Sequence, residues 1–444
     1  MLSRRLFFFV LVFGALFTAC TDDDTFSTSR SNVLSFSVDT VKLDTLFSTV
    51  PSVTKTFWVR NNSGDGIRIQ TARLERGGQS GFRVNVDGSY LDPVASNFEV
   101  RKDDSLRVFV EVTTRENGTD GPQLVEDNLL LTLESGVVQK INLRTWSWDA
   151  EKIGVLRIKR DTLIESSRPV IVYDSIVVDS GAVLTLRNTD FYFHHGAHLT
   201  VRGRLQAKNC LMRGDRLDYM FSYLPYDRVK GQWRGIRLMK MSLGNEMENC
   251  EIRNTMDAIL CDSASLSMKN CIVHNCEGYG VKGSNSDIEI DYCQITNCLS
   301  DCLLADGGIV HVNHSTLAQF YPFSANRGAA LRFDTGKRGV SISCENTLAT
   351  GYAADVVFGD VQDSTLVYQY SFKNCLLRTD SINNPDYLKD IIWETPKDSI
   401  EGKKHFKTID EDKFYYDFTI DSISPAFKRQ IGRIIDSNGT PNDT

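Results

Sequence analysis

MENCEIRNTMDAILCDSASLSMKNCIVHNCEGYGVKGSNSDIEIDYCQITNC (residues 247–298) says nearly the same thing three times. MENCEIRN (247–254), MKNCIVHN (268–275) and IDYCQITN (290–297) each place a Cys, an aliphatic residue two positions on and an Asn four positions on. Cys250 and Cys271 are 21 residues apart, Cys271 and Cys293 are 22 apart, and 22 more reach Ser315. Echoes put Cys210 before this run, and Asn346 and Cys375 after it, at the Cys position. Other positions keep step. Ile252, Val273, Ile295, Leu317, Leu348 and Leu377 form one aliphatic column, and Ile259, Val281 and Leu303 a second. Leu266, Ile288 and Val310 form a third; Met268, Ile290 and Val312 form a fourth.

A period of roughly 20–50 residues marks a solenoid or an array. Neither a leucine-rich pattern nor a helical periodicity fills this one. It holds short alternating runs, β-branched residues and Asn or Gly turns. One period is therefore one coil of several short strands, paired in parallel with the coil before it, with like residues about 4.8 Å apart. Cys suits a crowded interior column because it is small and apolar. Asn254, Asn275 and Asn297 are expected at sharp turns, where Asn tolerates the left-handed conformation and its amide can bond to the Asn above and below.

On these columns the stretch 150–380 resembles the right-handed, single-stranded parallel β-helices of the pectate-lyase-like superfamily, in which such Asn ladders recur. PVIVYDSIVVDSGAVLTLRNTDFYFHHGAHLTVRGRLQAKNC (169–210) reads as opening coils. Within 381–444, residues 383–412 read as an exposed excursion, and YYDFTIDSISPAFKRQIG (415–432) resembles the segment that covers the last coil in such proteins.

The preceding region has a different period. VTKTFWVRN (53–61), GIRIQTARL (66–74), GFRVNVDG (81–88), DSLRVFVEVTT (104–114), DNLLLTLES (127–135) and VVQKINLRTW (137–146) alternate apolar with polar residues. Turn-rich stretches such as NNSGDG and ENGTDG separate them. This predicts an immunoglobulin-like β-sandwich over 35–147. The chain is expected to be all-β. The sandwich offers no catalytic pattern, and its expected role is that of a spacer.

At the N-terminus, MLSRR precedes the apolar run LFFFVLVFGALF, which at 12 residues is too short to span a bilayer, since about 20 are needed. With LFTAC it resembles a bacterial lipoprotein signal, although Phe17 stands where that family usually has Leu. The resemblance implies a signal peptide over 1–19, cleavage after Ala19 and lipidation of Cys20. The polar stretch 20–34 then reads as a flexible tether. Its TDDD resembles the export signal of outer-membrane lipoproteins displayed at the cell surface. The expected location is the outer membrane, surface-exposed and held by the lipid at Cys20.

Lys and Arg total 50 against 57 Asp and Glu, without a basic run, so nucleic acid is not an expected partner. Ten cysteines follow Cys20, and the spacing of Cys250, Cys271 and Cys293 leaves both stacked thiols and disulfides open. There is no C-x-x-C pair, and His194, His195 and His198 fall on a strand running into a Gly turn, so no metal site is expected. The polygalacturonase motifs are absent as a set: Asn188-Thr189-Asp190 and Arg157-Ile158-Lys159 stand in the wrong order, with neither D-D nor G-H-G in the solenoid. Lyases of this fold hold Ca²⁺ on stacked acidic residues. Asp257 and Asp301 resemble such a stack, with Tyr279 between them.

The excursion between Cys210 and Cys250 is 40 residues long. It carries Tyr219, Tyr223, Tyr226 and Trp233 among Asp227 and Arg228. Flat rings beside charged donors suit sugars, whose apolar faces stack on them. These six residues are the candidate glycan-binding set; no catalytic residue is assigned. The expected function is binding of, or presentation to, extracellular polysaccharide. The alternatives are a polysaccharide lyase, with Ca²⁺ as its cofactor, or another carbohydrate-active enzyme of the pectate-lyase-like fold, and a structural or adhesive surface protein.

Overall fold

The computed structural model describes residues 25–435. Cys20 and the rest of 1–24 lie outside the described residues. The chain divides into two compact units, Met1–Trp148 and Asp149–Thr444.

In the first unit, alternation drives one face of each strand inward. Ser35–Phe36, Lys55–Arg60, Ser105–Val112, Phe82–Val86 and Ser89–Tyr90 make one antiparallel sheet. Thr40–Lys42, Val138–Trp148, Gln123–Leu133, Ile67–Leu74 and Val94–Val100 lie side by side in the other, where Leu46–Phe47 also pairs with Val138–Trp148. Phe57, Val59, Val108, Val110, Leu129 and Leu131 meet in the core between them. The region is the expected two-sheet β fold.

The second unit is a parallel β-helix of three walls. Wall A runs through Thr162–Glu165, Val183–Arg187, Arg204–Lys208, Asn245–Glu248, Ser265–Lys269, 287–291, 309–313, Val340–Glu345 and Tyr368–Lys373. Wall B includes Asp190–Phe193, Leu211–Gly214, Glu251–Arg253, Ile272–Cys276, Gln294–Cys298, Thr316–Gln319, Leu348–Gly351 and Leu376–Leu377. Wall C includes His198–Val201, Ile236–Leu238, Ile259–Asp262, 281–284, 303–306, Leu331–Asp334 and Val357–Asp360. The last coil reaches Leu388–Lys389 and Ile392–Trp393, so part of the expected excursion is a coil.

Ile252, Val273, Ile295 and Leu317 are direct register partners, as the repeat requires. The next member is Ala349, not Leu348. The expected column is off by one residue there, because it aligns Asn346 with the cysteines. A one-residue slip reverses the face of a strand, and Leu348 points out of the helix into a second apolar cluster.

The corner between walls A and B explains the cysteines. Asn188, Asn209, Asn249, Asn270, Asn346 and Asn374 all have φ between 47° and 53°. Each left-handed residue turns a carbonyl toward the residue after it. Cys210, Cys250, Cys271 and Cys293 direct Sγ to the carbonyl two residues back, each at 3.3 Å. Thr189, Ser315 and Thr347 make the same bond with Oγ, at 2.7, 2.7 and 2.8 Å. The column therefore selects a small side chain with a hydrogen to donate. All ten cysteines among the described residues are free and buried.

This corner also carries the amide ladder. Asn209, Asn249 and Asn270 each donate Nδ2 to the Oδ1 of the Asn one coil earlier, at 2.9, 3.1 and 2.8 Å. The expected ladder through Asn254, Asn275 and Asn297 does not form. Those residues are left-handed too, with φ of 64°, 57° and 55°. They are buried, whereas Asn209 and Asn249 are exposed and Asn270 half-buried, and Asn254 Nδ2 bonds the carbonyls of Asp227 and Val229 in the insertion instead.

The C-terminal segment covers a side wall, not the last coil. The hairpin of Phe406–Asp410 and Tyr415–Ile420 and the short helix Pro425–Lys428 pack on the outward Ala318, Phe320, Leu348 and Leu376 of wall B. Among the described residues no helix is long and apolar enough to cross a membrane.

Candidate functional site

Titratable groups converge on the outer face of wall B. Register stacks Tyr192, Arg213, Arg253 and His274 in one outward line, the first two paired directly and the last two likewise. The insertion after Arg213 folds back over this line. Its Asp227 forms ion pairs with Arg213 at 2.8 Å and with Arg253 at 3.1 Å. Glu251 pairs with the charge of Arg253 and is hydrogen-bonded to His274 Nε2, both at 3.1 Å. Burial pushes the Glu251 carboxyl up, but the hydrogen bond and charge of His274, with Arg253 and Arg213, outweigh it and hold it down at about 2. Burial also raises the neighbouring Asp190 carboxyl above its ordinary value, and pushes the Tyr192 phenol up to about 12. This is a partly buried charge network on the floor beneath the loop.

The candidate glycan-binding residues divide. Tyr219 and Tyr223 are exposed, at 46% and 60%. Tyr226 has one face covered by the Arg216 guanidinium, 3.9 Å from its centroid. Asp227 is committed to its two arginines, and Arg228 donates to the carbonyl of Lys413 and lies over Tyr415 at 5.7 Å. Trp233 does not belong with the others. It is fully buried in the β-helix core, stacked on Phe193 at 4.0 Å, with Nε1 donating to the Arg253 carbonyl at 2.9 Å. The chain has already rejoined the wall there: Trp233 bridges to Thr255, and Gly235 comes two residues later at φ +77°, where a Cβ would sit 1.7 Å from the Asp257 carbonyl oxygen.

The exposed rings extend beyond the insertion. Phe221 stacks on Tyr223 (5.6 Å, 13°), Tyr223 on Phe414 (6.4 Å, 22°), and Phe414 on Phe323 (5.1 Å, 18°). Three loops far apart in sequence thus build one ribbon of near-parallel rings beside the charged floor. Phe323 and Phe414 lie outside the set that the sequence suggests. The aromatic groups YPF (321–323) and FYY (414–416) were the signal for them.

Just before wall C, Asp257, Tyr279 and Asp301 do lie on successive coils, but the two carboxylates are already engaged. Asp257 Oδ1 accepts from the Tyr279 N–H at 3.0 Å. Asp301 accepts from the Ala329 N–H at 2.6 Å and from Arg332 Nε at 3.1 Å. Among the described residues no group of three or more His, Cys, Asp or Glu is arranged to hold a metal ion. His194 of the HHGAH segment pairs with Asp215 at 2.6 Å.

The family model of the right-handed beta helix region matches residues 159–325. The coils described above are those of such a helix. No curated protein matches the chain. Among solved structures, it is similar to a family 123 glycoside hydrolase from Clostridium perfringens described for glycolipid glycan hydrolysis, at 8% identity over 28% of this chain and 30% of that one, with a TM-score of 0.20. It is similar to the Vibrio cholerae VesB protease at 14% identity over 27% of this chain and 33% of that one, with a TM-score of 0.17. It is also similar to PapD-like domain 7 of human CEP192 at 10% identity over 30% of this chain and 97% of that domain, with a TM-score of 0.18. The chain thus spans about a third of the first two, and likenesses of this size carry no argument about function.

Proposed function

We propose that the β-helix binds an extracellular polysaccharide along the aromatic ribbon and the charged floor of wall B. The observation that carries this reading is the run Phe221, Tyr223, Phe414 and Phe323, held partly in solvent by three separate loops. Exposed apolar groups gathered in this way mark interaction surfaces. Rings accept the apolar faces of sugars, while the neighbouring arginines and carboxylates bond hydroxyls. In the same proposal Cys20 carries the lipid anchor, 20–34 is the tether, and the sandwich is a spacer at the surface of the outer membrane.

Affinity electrophoresis and a glycan array with the intact protein test it. Phe221→Ala and Tyr223→Ala are expected to abolish retention while the melting temperature stays put. A folded protein that binds no glycan, or variants that bind as well as the parent, overturns the reading.

One observation favours a second reading, a polysaccharide lyase: Arg213 and Arg253 stand beside a His274 oriented by Glu251. A uronate carboxylate would be neutralised by the arginines, with His274 as the base. Rising ultraviolet absorbance on acidic polysaccharides, tried with and without Ca²⁺, supports it; silence across a broad panel removes it.

A further inference from the structure

The outer face of wall A carries three groups that the polysaccharide reading leaves unused. Glu289, His311 and Ser343 are register partners on three consecutive coils. Alternation along the strands aims all three outward, away from the buried Val310, Val312, Ile342 and Cys344. Ser343 Oγ lies 2.6 Å from His311 Nδ1. Glu289 stands on the other side of His311, one strand spacing of about 4.8 Å away. Glu289 and His311 border a trough of about 340 Å³, whose lining also includes Glu246, Ser267, Asp287 and Ile309; Ser343 stands one coil beyond its edge. Ile309 is 47% exposed and gives the trough an apolar side.

We propose that Ser343, His311 and Glu289 form an acyl-transfer site for carboxylic esters. An imidazole hydrogen-bonded to a hydroxyl is the pairing that activates a serine nucleophile; Glu289 adds a negative charge one strand away, without an ion pair to the ring. Ser343 Oγ adds to the ester carbonyl carbon as His311 Nδ1 takes its proton. The adduct collapses, the C–O bond to the alcohol breaks, and His311 returns the proton to the departing alkoxide. Water then adds to the acyl-serine with the same base, releasing the carboxylic acid and restoring Ser343. Glu289 acts as a positioning residue that stabilises the imidazolium. The strand amides of this wall are paired in the ladder. The oxyanion therefore faces solvent, turnover is slow, and trapping the serine is a better readout than rate.

Ester chemistry on wall A is independent of glycan binding on wall B, and either can fail alone. The probe is a fluorophosphonate, applied to the intact protein and followed by peptide mass spectrometry, with p-nitrophenyl acetate as a small ester. The adduct is expected on Ser343. His311→Ala is expected to slow labelling about 100-fold with an unchanged melting temperature. Glu289→Gln, which keeps the shape and removes the charge, is expected to slow labelling with an unchanged melting temperature. No adduct on the folded protein, an adduct elsewhere, or equal labelling of His311→Ala overturns the proposal.

Discussion

Tyr292 and His314 lie face to face, ring centroids 4.7 Å apart and planes 1° from parallel, in a corner column that six other coils fill with asparagine. Their φ angles, 50° and 42°, are the left-handed ones of the column. Asn346 Nδ2 meets His314 Nε2 at 3.0 Å, so the amide ladder runs up against the ring pair. Arg433 spans the junction, donating to the Tyr292 carbonyl at 3.0 Å and to Asn270 Oδ1 at 2.8 Å.

A left-handed side chain costs about 1–2 kcal/mol outside Gly and Asn, and an aromatic pair returns about 0.5–1.5 kcal/mol. The double change Tyr292→Asn with His314→Asn should therefore melt at or above the parent, because it removes strain and continues the ladder. Tyr292→Ala alone keeps the strain, loses the stack and should cost about 0.5–1.5 kcal/mol. Thermal denaturation of the three proteins decides it. A double variant melting well below the parent would show that the rings do something amides cannot.

Trp233→Ala should destabilise the β-helix by about 3–5 kcal/mol, since it empties a core site and orphans the Arg253 carbonyl. Tyr223→Ala, on an exposed ring, should stay within about 0.5 kcal/mol of the parent. Chemical denaturation separates the two.

The contrast between Trp233 and Tyr223 also shows what the sequence could reveal. Ile252, Val273, Ile295 and Leu317 were legible as a stripe because parallel coils repeat one residue at one register. Trp233 was not, because an insertion hides the point at which its chain rejoins the wall. The Asn ladder was misplaced for a related reason. Asn249 and Asn254 both adopt left-handed backbone, but Asn249 is exposed and bonds the Asn one coil earlier, whereas Asn254 is buried and bonds carbonyls of the insertion. Left-handed Asn alone does not tell the two columns apart. The ribbon was half visible, because Phe323 and Phe414 reach Tyr223 only through tertiary folding.

Stability should fall on acidification through Glu251. Its folded carboxyl is held at about 2, below its ordinary 4.5. A depressed carboxyl contributes stability that is present above its unfolded value and is lost as pH falls toward its folded one. The parent should lose melting temperature between about pH 4.5 and 2, and Glu251→Gln should lose less over that window while being less stable at pH 7. Parallel pH-melting curves for the two would refute the linkage.

The cysteine column makes a chemical prediction. Burial pushes the Cys344 thiol well above its ordinary value and that of Cys261 up to about 12. The native protein should therefore resist iodoacetamide, and all ten described thiols should alkylate once it is unfolded without reductant. Cys271→Ser, which keeps the donor to the Lys269 carbonyl, should cost about 1 kcal/mol. Cys271→Leu should cost about 1–3 kcal/mol by overpacking. Thiols that appear only after reduction would show disulfides in the column.

The last prediction links the hairpin to the ribbon. Arg378 is 5% exposed and pairs with Glu394, itself 2% exposed, and with Glu401 at 2.8 Å. Glu394 also faces the buried His405 at 3.3 Å, and His405 Nδ1 meets Ser424 Oγ, the N-cap of the short helix, at 2.8 Å. This network fastens the hairpin that carries Phe414. Arg378→Leu leaves a buried carboxylate without its cation, at a cost of about 3–5 kcal/mol. The hairpin should loosen before the coils do, so limited proteolysis should cut within 395–415 while the coils stay protected. Glycan retention should fall together with the hairpin, because Tyr223 loses the ring it stacks on. Cleavage there with retention unchanged would separate Phe414 from the binding surface.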